Sequence, residues 1–248
     1  MSATVHVLNP DRPKRVLIVA SNPAVSAQTG WPIGFWWAEL THPYWEFQER
    51  GYRIDIASPE GGELKADSWS DPRDDTGYSA EDLISLGFLN SPEHAALVQN
   101  SLRLADVDTD SYDVVFLVGG QAPMYTFRND QRIKELVAAR IAANKLVAVV
   151  CHATCVLLDA ELPDGGLAVA GRTWTGFANS EEDYADAYVG QQIQPFRIED
   201  EARKLEGTNF IVGGRFTAHA VRDGNLITGQ QQYSGAAAAR LVIEALGV

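Results

Sequence analysis

The sequence predicts an α/β fold with a mostly parallel sheet, and two observations support this fold class. Four apolar runs rich in β-branched residues are typical of strands buried on both faces of a sheet. These predicted strands cover residues 15–21, 52–58, 113–120 and 145–151. Segments of helical character separate them, and strands that alternate with helices favour a parallel sheet covered by helices.

The helices are predicted mainly from apolar side chains at helical spacing. They cover residues 34–50, 91–105, 131–144 and 152–160. Gly51 follows the first of them, where glycine commonly ends a helix. Pro43 is expected to kink that helix or to shift its start, because proline cannot donate the hydrogen bond of a helix interior.

The last third of the chain has a mixed order of elements. It is predicted to hold a strand at 172–177, helices at 195–205 and 234–246, and a hairpin at 216–229. The hairpin is expected to turn at Asp223-Gly224, because an Asp-Gly pair favours tight turns between antiparallel strands.

A segment rich in Asp, Gly, Ser and Pro interrupts the alternation after the second strand. Residues 59–79 are predicted to be a surface loop, and the whole loop insertion is placed at about 59–90. No repeat, linker or low-complexity stretch breaks the chain elsewhere. One domain over residues 1–248 is therefore predicted, with its core at about 15–247.

Charge and length exclude several classes of partner. The 248 residues include 33 acidic and 20 basic side chains, which give a formal net charge of −13. Such a surface repels nucleic acids and anionic membranes, so we expect neither as a partner. The apolar stretch 16–20 is too short for a signal peptide, and no segment is long enough to span a bilayer. We therefore expect a cytoplasmic protein.

A cysteine lies where a predicted strand meets a predicted helix, in the segment AVVCHATCVLL (148–158). A residue at such an elbow projects above the carboxyl edge of the sheet, so Cys151 is a candidate nucleophile. The helix N-terminus is expected to lower the pKa of its thiol and to offer N–H groups to an oxyanion. The alternative is that Cys151 is a small buried hydrophobic residue, which is what we expect of Cys155. With two cysteines and five scattered histidines, neither a disulfide framework nor a metal site is expected.

Several segments in order resemble the ThiJ/PfpI superfamily, and more closely its glyoxalase III-like branch of stress-response proteins. They are RVLIVAS, TGWPIGFWWAELTHPYWEFQERGYRIDIASPEGG, DVVFLVGGQAPM, AVVCHA, GRTWTGFANSEE, PFRIEDEARKL and VRDGNLITGQ, and they span about residues 15–247. The resemblance implies a flavodoxin-like sandwich related to class I glutamine amidotransferase domains. It also implies a homodimer, a small-molecule substrate and no cofactor.

The resemblance also implies roles for residues around Cys151. Glu39, in WWAELTHP, would be a protonated acid that stabilises the thiolate, and its aromatic neighbours make a desolvated setting with a raised pKa plausible. On sequence alone Glu39 would be an ordinary helix carboxylate, which most often faces solvent. His152 would follow the nucleophile, and Glu182 would orient its imidazole. The alternative is that Glu182 is a capping acid at the start of a helix, and the adjacent Glu181 leaves the assignment open by one residue.

The glycine pair Gly119-Gly120 would let backbone N–H groups approach a substrate oxygen. Gly120 and His152 are the expected oxyanion donors, and Gln121 is placed beside the substrate. The family commonly has His-Gly after the glycine pair, whereas this chain has Gln121-Ala122. Likewise residues 231–234 read Gln-Gln-Tyr-Ser instead of Asn-Pro-Ala-Ser. These departures indicate either a different substrate or neutral drift.

The leading hypothesis is a cysteine-dependent, glutathione-independent conversion of 2-oxoaldehydes to 2-hydroxy acids, without a cofactor or metal. A second hypothesis is a hydrolase or hydratase of another electrophile, such as an amide, a peptide or an isonitrile. A third is a non-enzymatic holdase chaperone or oxidative-stress sensor. A glutamine amidotransferase is disfavoured, because Ala220 and Val221 follow His219 where that class has a His and a Glu two residues apart.

Overall fold

The computed structural model describes residues 13–247, so the predicted domain limits 1 and 248 lie outside it. Its strands, in chain order, are β1 (Arg15–Val19), β2 (Ala24–Val25), β3 (Pro32–Ile33), β4 (Arg53–Ser58), β5 (Leu102–Arg103), β6 (Val114–Leu117), β7 (Leu146–Val150), β8 (Thr173–Trp174), β9 (Asn209–Phe210), β10 (Ala220–Asp223) and β11 (Leu226–Gly229). Its α-helices are α1 (Trp37–Glu49), α2 (Leu83–Asn90), α3 (Pro92–Gln99), α4 (Gln131–Ala142), α5 (Asn179–Val189), α6 (Ile198–Ala202) and α7 (Gly235–Leu246).

The described chain forms one seven-stranded sheet in the order β10-β11-β7-β6-β1-β4-β5. Its neighbouring strands run parallel, except for the hairpin of β10 and β11. That hairpin turns through Gly224, whose φ of 61° is readily adopted by glycine. The α/β fold with a mostly parallel sheet flanked by helices, and the hairpin with its turn, are therefore as predicted.

The three central strands form the middle of the core. Leu17, Val115 and Val147 lie side by side on β1, β6 and β7, and all three are fully buried. Strands covered on both faces need apolar side chains on both, which explains their continuous apolar sequences. The carboxyl ends of these strands meet at one edge of the sheet, where open α/β sheets bind ligands.

Helices α1 and α7 pack on each other, and α7 also contacts β7, β10 and β11. Helix α1 begins at Trp37, three residues later than predicted, and Pro43 lies inside it. The start is delayed because the preceding segment pairs with other parts of the chain. The Trp36 N–H donates to the Gly119 carbonyl at 3.1 Å. This contact joins the start of α1 to the end of β6.

The predicted loop insertion at 59–90 is partly wrong, because its last eight residues form α2. Asp82 caps this helix by accepting a hydrogen bond from the Ser85 N–H at 3.1 Å. Phe88 is buried, and the Ser85 hydroxyl lies 2.7 Å from the Thr41 hydroxyl on α1. Packing against α1 stabilises a helix whose short sequence, with Gly87 inside it, carries a weak helical signal.

Other predicted elements are present but shorter. The helix predicted at 91–105 ends at Gln99, and β5 then joins the edge of the sheet. The helix at 195–205 is reduced to α6, and the strand at 172–177 is reduced to β8, which pairs with β9 outside the main sheet. Helix α5 was not predicted, because its polar sequence NSEEDYADAYV shows no clear apolar stripe.

Candidate active site

Cys151 lies at the turn between β7 and a tight helical segment over Cys151–Leu158. Its φ is 55°, in the left-handed region that residues other than glycine rarely adopt. The Thr154 hydroxyl donates to the Cys151 carbonyl at 2.6 Å and stabilises the turn. The predicted elbow is present, and its segment has 3₁₀ rather than α-helical geometry.

A chain of hydrogen-bonding contacts connects Cys151 to an acid on α5. The Cys151 Sγ lies 3.4 Å from His152 Nδ1, and His152 Nε2 lies 3.1 Å from Glu182 Oε1. Glu182 and His152 are both buried. The Phe177 ring stacks on the imidazole, with ring centroids 3.9 Å apart, and fixes the plane of the ring. Nucleophile, imidazole and carboxylate therefore follow the order of a catalytic triad.

The two adjacent acids of α5 have separate contacts. Glu181 accepts hydrogen bonds from the backbone N–H groups of Ala178 and Phe216 and from the Gln230 side chain. Its carboxylate is therefore occupied in holding the start of α5 and a neighbouring loop. Glu182 alone reaches His152. The capping contact considered for Glu182 is made by Glu181, and of the two acids it is Glu182 that contacts His152.

Glu39 approaches the thiol from α1. It is fully buried, and its Oε2 accepts a hydrogen bond from the Gly119 N–H at 2.8 Å. Burial raises the pKa of Glu39 to about 7, and the hydrogen bond with the Cys151 thiol limits this rise. Its other oxygen, Oε1, is buried and has no hydrogen-bond partner by distance and angle among the described residues. Glu39 is thus the desolvated acid considered above, not a solvent-facing helix residue.

The pKa of Cys151 differs from the expectation. Burial raises the pKa of the thiol, and the charge of the adjacent Glu39 raises it further. The backbone N–H groups of Gly120 and His152 oppose this rise but do not outweigh it. The expected lowering of the pKa by the helix end is therefore wrong, because only 3% of Cys151 is exposed to water. Since two adjacent negative charges are costly, the thiolate forms when Glu39 carries the proton.

The glycine pair after β6 is required by close contacts. A Cβ on Gly119 would lie 2.6 Å from the Glu39 carboxylate, and a Cβ on Gly120 would lie 2.5 Å from the Gly34 carbonyl oxygen. Gly120 also has a φ of 105°, which side chains rarely permit. The N–H groups of Gly120 and His152 lie near the Cys151 sulfur and lower the pKa of its thiol. An oxygen on a carbon bonded to this sulfur lies within reach of the same donors.

One buried carboxylate near the site was missed by the sequence reasoning. Asp67 is 2% exposed and accepts hydrogen bonds from the Gly34 N–H at 3.0 Å and the Gln121 N–H at 2.7 Å. Burial raises the pKa of Asp67 to about 7, and the two N–H donors limit this rise. Asp67 thus holds the segment that contains Gly120. The loop around it is rich in Asp, and no local pattern distinguishes Asp67 from its neighbours.

A cavity that encloses about 70 Å³ and has an open mouth leads from the surface to Cys151 and His152. Its walls are mainly aromatic, and the rings are those of Trp36, Trp69, Tyr78, Phe177, Tyr184, Tyr188 and Phe216. Gln121, which the sequence analysis places beside the substrate, lines the cavity, and so does Gln232. Cys155 lies outside the cavity in the core, with its sulfur 3.4 Å from the Pro123 carbonyl oxygen.

Two further findings concern residues 13–247. They contain no group of three or more His, Cys, Asp or Glu side chains arranged to hold a metal ion. None of their helices combines the length and apolar character needed to cross a membrane.

The fold and the site define an α/β protein with a buried cysteine, histidine and two glutamates at the carboxyl edge of its sheet. The family model described as DJ-1/PfpI family matches residues 34–245. The chain therefore belongs to the DJ-1/PfpI family, as the resemblance in sequence indicated.

Three similar proteins are informative. The chain is 26% identical to the probable glutathione-independent glyoxalase hsp3103 of Schizosaccharomyces pombe, over 96% of this chain and 100% of that protein. It is 24% identical to the protein/nucleic acid deglycase HchA of Pseudomonas aeruginosa, over 84% of this chain and 72% of that protein. The crystal structure of Rapid Encystment Protein 24 kDa of Francisella tularensis superposes with a TM-score of 0.83 at 27% identity, covering 95% of this chain and all of that one.

Proposed function

We propose that this single α/β domain is a glutathione-independent, glyoxalase III-like enzyme that converts 2-oxoaldehydes to 2-hydroxy acids, with Cys151 as its nucleophile. The observation that carries this proposal is the environment of the Cys151 sulfur. It has His152 Nδ1 at 3.4 Å, the Glu39 carboxyl within hydrogen-bonding reach, and two backbone N–H donors. The glyoxalase name of the relative in S. pombe supports the same chemistry.

The first step is addition of the thiol to the aldehyde carbon. The thiol proton passes to Glu39, whose pKa of about 7 allows it to accept and release a proton near neutral pH. The sulfur–carbon bond forms, and the electron pair of the carbonyl bond moves to its oxygen. The N–H groups of Gly120 and His152 stabilise that oxygen until it is protonated to a hemithioacetal.

The second step moves hydrogen between the two carbons. The proton on the hemithioacetal carbon moves to the neighbouring carbon, and the hydroxyl proton of the hemithioacetal moves to the former ketone oxygen. The ketone thereby becomes a hydroxyl group and the carbon bonded to sulfur becomes a carbonyl. The product is a thioester of the 2-hydroxy acid. Glu39 and His152 are the titratable groups in contact with Cys151, so they are the proposed carriers of this proton. The Glu182 carboxylate holds the imidazole in the orientation that the transfer needs.

Water then adds to the thioester carbon, the sulfur leaves as a thiolate, and the 2-hydroxy acid is released. The net reaction adds one water molecule, so it balances without an oxidant, a reductant or glutathione. The buried cysteine, imidazole and carboxylate supply the proton transfers that each step requires. No step in this scheme uses a cofactor.

A second candidate function is hydrolysis or hydration of another electrophile, such as an amide, a peptide or an isonitrile. The contact order Cys151–His152–Glu182 favours it, because acyl transfer uses the same order of groups. The deglycase name of the relative in P. aeruginosa is compatible with such chemistry. A redox sensor is less well supported, since sensor cysteines are exposed and have a low pKa, whereas Cys151 is buried and its pKa is raised.

The homodimer and the cytoplasmic location implied by sequence also remain proposals. Sedimentation equilibrium of the full chain tests the first, since a dimer doubles the mass of 27.0 kDa. Fractionation of cells that produce the protein tests the second.

The function is tested by following methylglyoxal and lactate with purified protein in the absence of glutathione. Wild-type protein is expected to form lactate, whereas Cys151→Ala is expected to form none and Glu39→Gln little. If wild-type protein with a reduced, alkylatable Cys151 forms no 2-hydroxy acid from any 2-oxoaldehyde, the proposal is wrong. The amide and isonitrile substrates of the second candidate would then be assayed with the same variants.

A further inference from the structure

The enclosed part of the cavity above Cys151 is small, about 70 Å³, and it opens to the surface between aromatic side chains. A substituent larger than the methyl group of methylglyoxal would extend from this enclosed part into the open mouth. We propose that this site accepts uncharged 2-oxoaldehydes with a bulky aromatic substituent, the arylglyoxal class, in preference to methylglyoxal. This inference rests on the proposed function, because it names the substrate class of the same nucleophile.

The outer wall of the cavity is built from rings that contact one another across separate segments. Trp69, from the loop before α2, stacks on Tyr78 with centroids 6.1 Å apart and meets Tyr188 of α5 edge-on at 5.6 Å. Trp36 meets Tyr78 edge-on at 6.0 Å. A substrate ring placed against the exposed faces of these side chains gains stacking and edge-to-face contacts, which a methyl group cannot make.

Much of this wall is exposed to water when the cavity holds no substrate. Tyr188 is 70% exposed and Tyr78 is 42% exposed, although both line the cavity. A bulky apolar group that covers these rings removes apolar surface from water on both sides of the contact. The larger substituent therefore gains binding free energy that a three-carbon substrate cannot gain.

The charge of the lining selects against anions. None of the described residues that line the cavity is Lys or Arg. The carboxyl group among them is that of Glu182. Arg215 lies over the Tyr184 ring at 5.1 Å but does not line the cavity. An anionic substituent that packs against these rings would lose part of its hydration without gaining a counter-charge, which is costly. The preferred substituent is therefore both bulky and neutral.

The polar groups of the cavity lie where the reacting carbonyl must be. The N–H groups of Gly120 and His152 lie near the sulfur at the inner end, whereas the rings of Trp69 and Tyr188 belong to the outer wall. A 2-oxoaldehyde with an aromatic substituent has the same polarity, with two adjacent carbonyl groups at one end and a ring at the other. The geometry thus orients this class with its aldehyde at Cys151.

The test compares kcat/KM for phenylglyoxal and methylglyoxal in wild-type protein, Tyr188→Ala and Trp69→Ala. The difference in intrinsic reactivity between the two aldehydes cancels when each variant is divided by wild type. We expect both variants to lower the phenylglyoxal-to-methylglyoxal ratio by about 10-fold, the usual scale for losing an apolar contact in a pocket. The matched control is Trp45→Ala, an exposed aromatic residue of α1 outside the cavity, which should leave the ratio unchanged. Unchanged ratios in both cavity variants would overturn the inference.

A binding measurement separates this inference from the proposed function. Acetophenone and benzoate carry the same ring and differ in charge, and each is tested for protection of Cys151 against iodoacetamide by site-resolved mass spectrometry. Acetophenone is expected to protect at about 10-fold lower concentration than benzoate, and Tyr188→Ala should weaken this protection. Equal protection by both, or none by either, contradicts the inference. Protection by acetophenone without turnover of either aldehyde would retain the aromatic neutral site and reject the proposed chemistry.

Discussion

The inner and outer parts of the cavity are built differently. The inner part, which we call the floor, consists of Cys151, His152 and Glu182, which line the cavity, together with Glu39, which lies beside the Cys151 thiol without lining the cavity. Each of these four residues is at most 5% exposed. The outer part, the aromatic wall, is formed by rings such as Tyr78 and Tyr188 that remain largely exposed. Floor residues are fixed by hydrogen bonds to one another and to the backbone, whereas wall residues contact mainly other rings. The floor therefore determines which bonds can be made, and the wall determines which substituent is accepted.

The largest expected effect comes from exchanging the thiol of the floor. Cys151→Ala should lower kcat/KM for a 2-oxoaldehyde by about 10³-fold or more, because no other group supplies the nucleophile. Cys155→Ala is the matched control, since it removes the other thiol from the core and leaves the floor intact. The measurement is 2-hydroxy acid formation without glutathione. Equal losses in the two variants would contradict a special role for Cys151.

The next largest effect separates the two neighbouring acids. Glu182→Gln should lower kcat about 10²-fold, because the imidazole loses the carboxylate that orients it and stabilises its charged form. Glu181→Gln disturbs the contacts with Ala178, Phe216 and Gln230 instead. It should lower the melting temperature while retaining most of the activity. Loss of activity in Glu181→Gln from protein that remains folded would show that the floor extends to Glu181.

A smaller effect is expected where the floor is attached to the loop before α2. Asp67→Asn keeps one acceptor oxygen but turns an amide group towards either the Gly34 or the Gln121 N–H. An unpartnered buried donor costs about 1–3 kcal/mol, which chemical denaturation can measure. Because Gln121 follows Gly120, we also expect kcat to fall about 10-fold while KM changes little. An increase in KM with constant kcat would assign Asp67 to the wall instead.

The contrast between the floor and the aromatic wall also explains which features could be predicted from the sequence. The apolar runs that became β1, β6 and β7 and the elbow at Cys151 were predictable, because continuous burial and a strand followed at once by a helix leave local patterns. The role of Glu39 came from resemblance alone, since nothing local shows that this helix carboxylate is buried. Asp67 was missed, and so was α2, because both depend on contacts between segments distant in sequence.

The wall was the least predictable part of the site. Trp69 and Tyr78 lie in a polar loop, and Tyr188 lies on a helix with no clear apolar stripe. Only the fold brings these segments together above Cys151. Loops and helix ends assemble binding surfaces through tertiary contacts, which leave no periodic signal in the sequence. The predicted direction of the Cys151 pKa shift was wrong for a related reason. The position of Cys151 at a helix end does not reveal how deeply its thiol is buried.

The central claim is that the buried floor makes Cys151 reactive by sharing one proton with Glu39. It is tested most directly by the pH dependence of Cys151 alkylation by iodoacetamide in a Cys155→Ala background, with and without Glu39→Gln. Since the raised pKa of Glu39 is about 7, the alkylation rate should increase with a midpoint near pH 7 when Glu39 is present. In Glu39→Gln the thiol titrates alone, and burial should move the midpoint above the ordinary thiol pKa. The same midpoint in both proteins would contradict the shared proton and the role of Glu39.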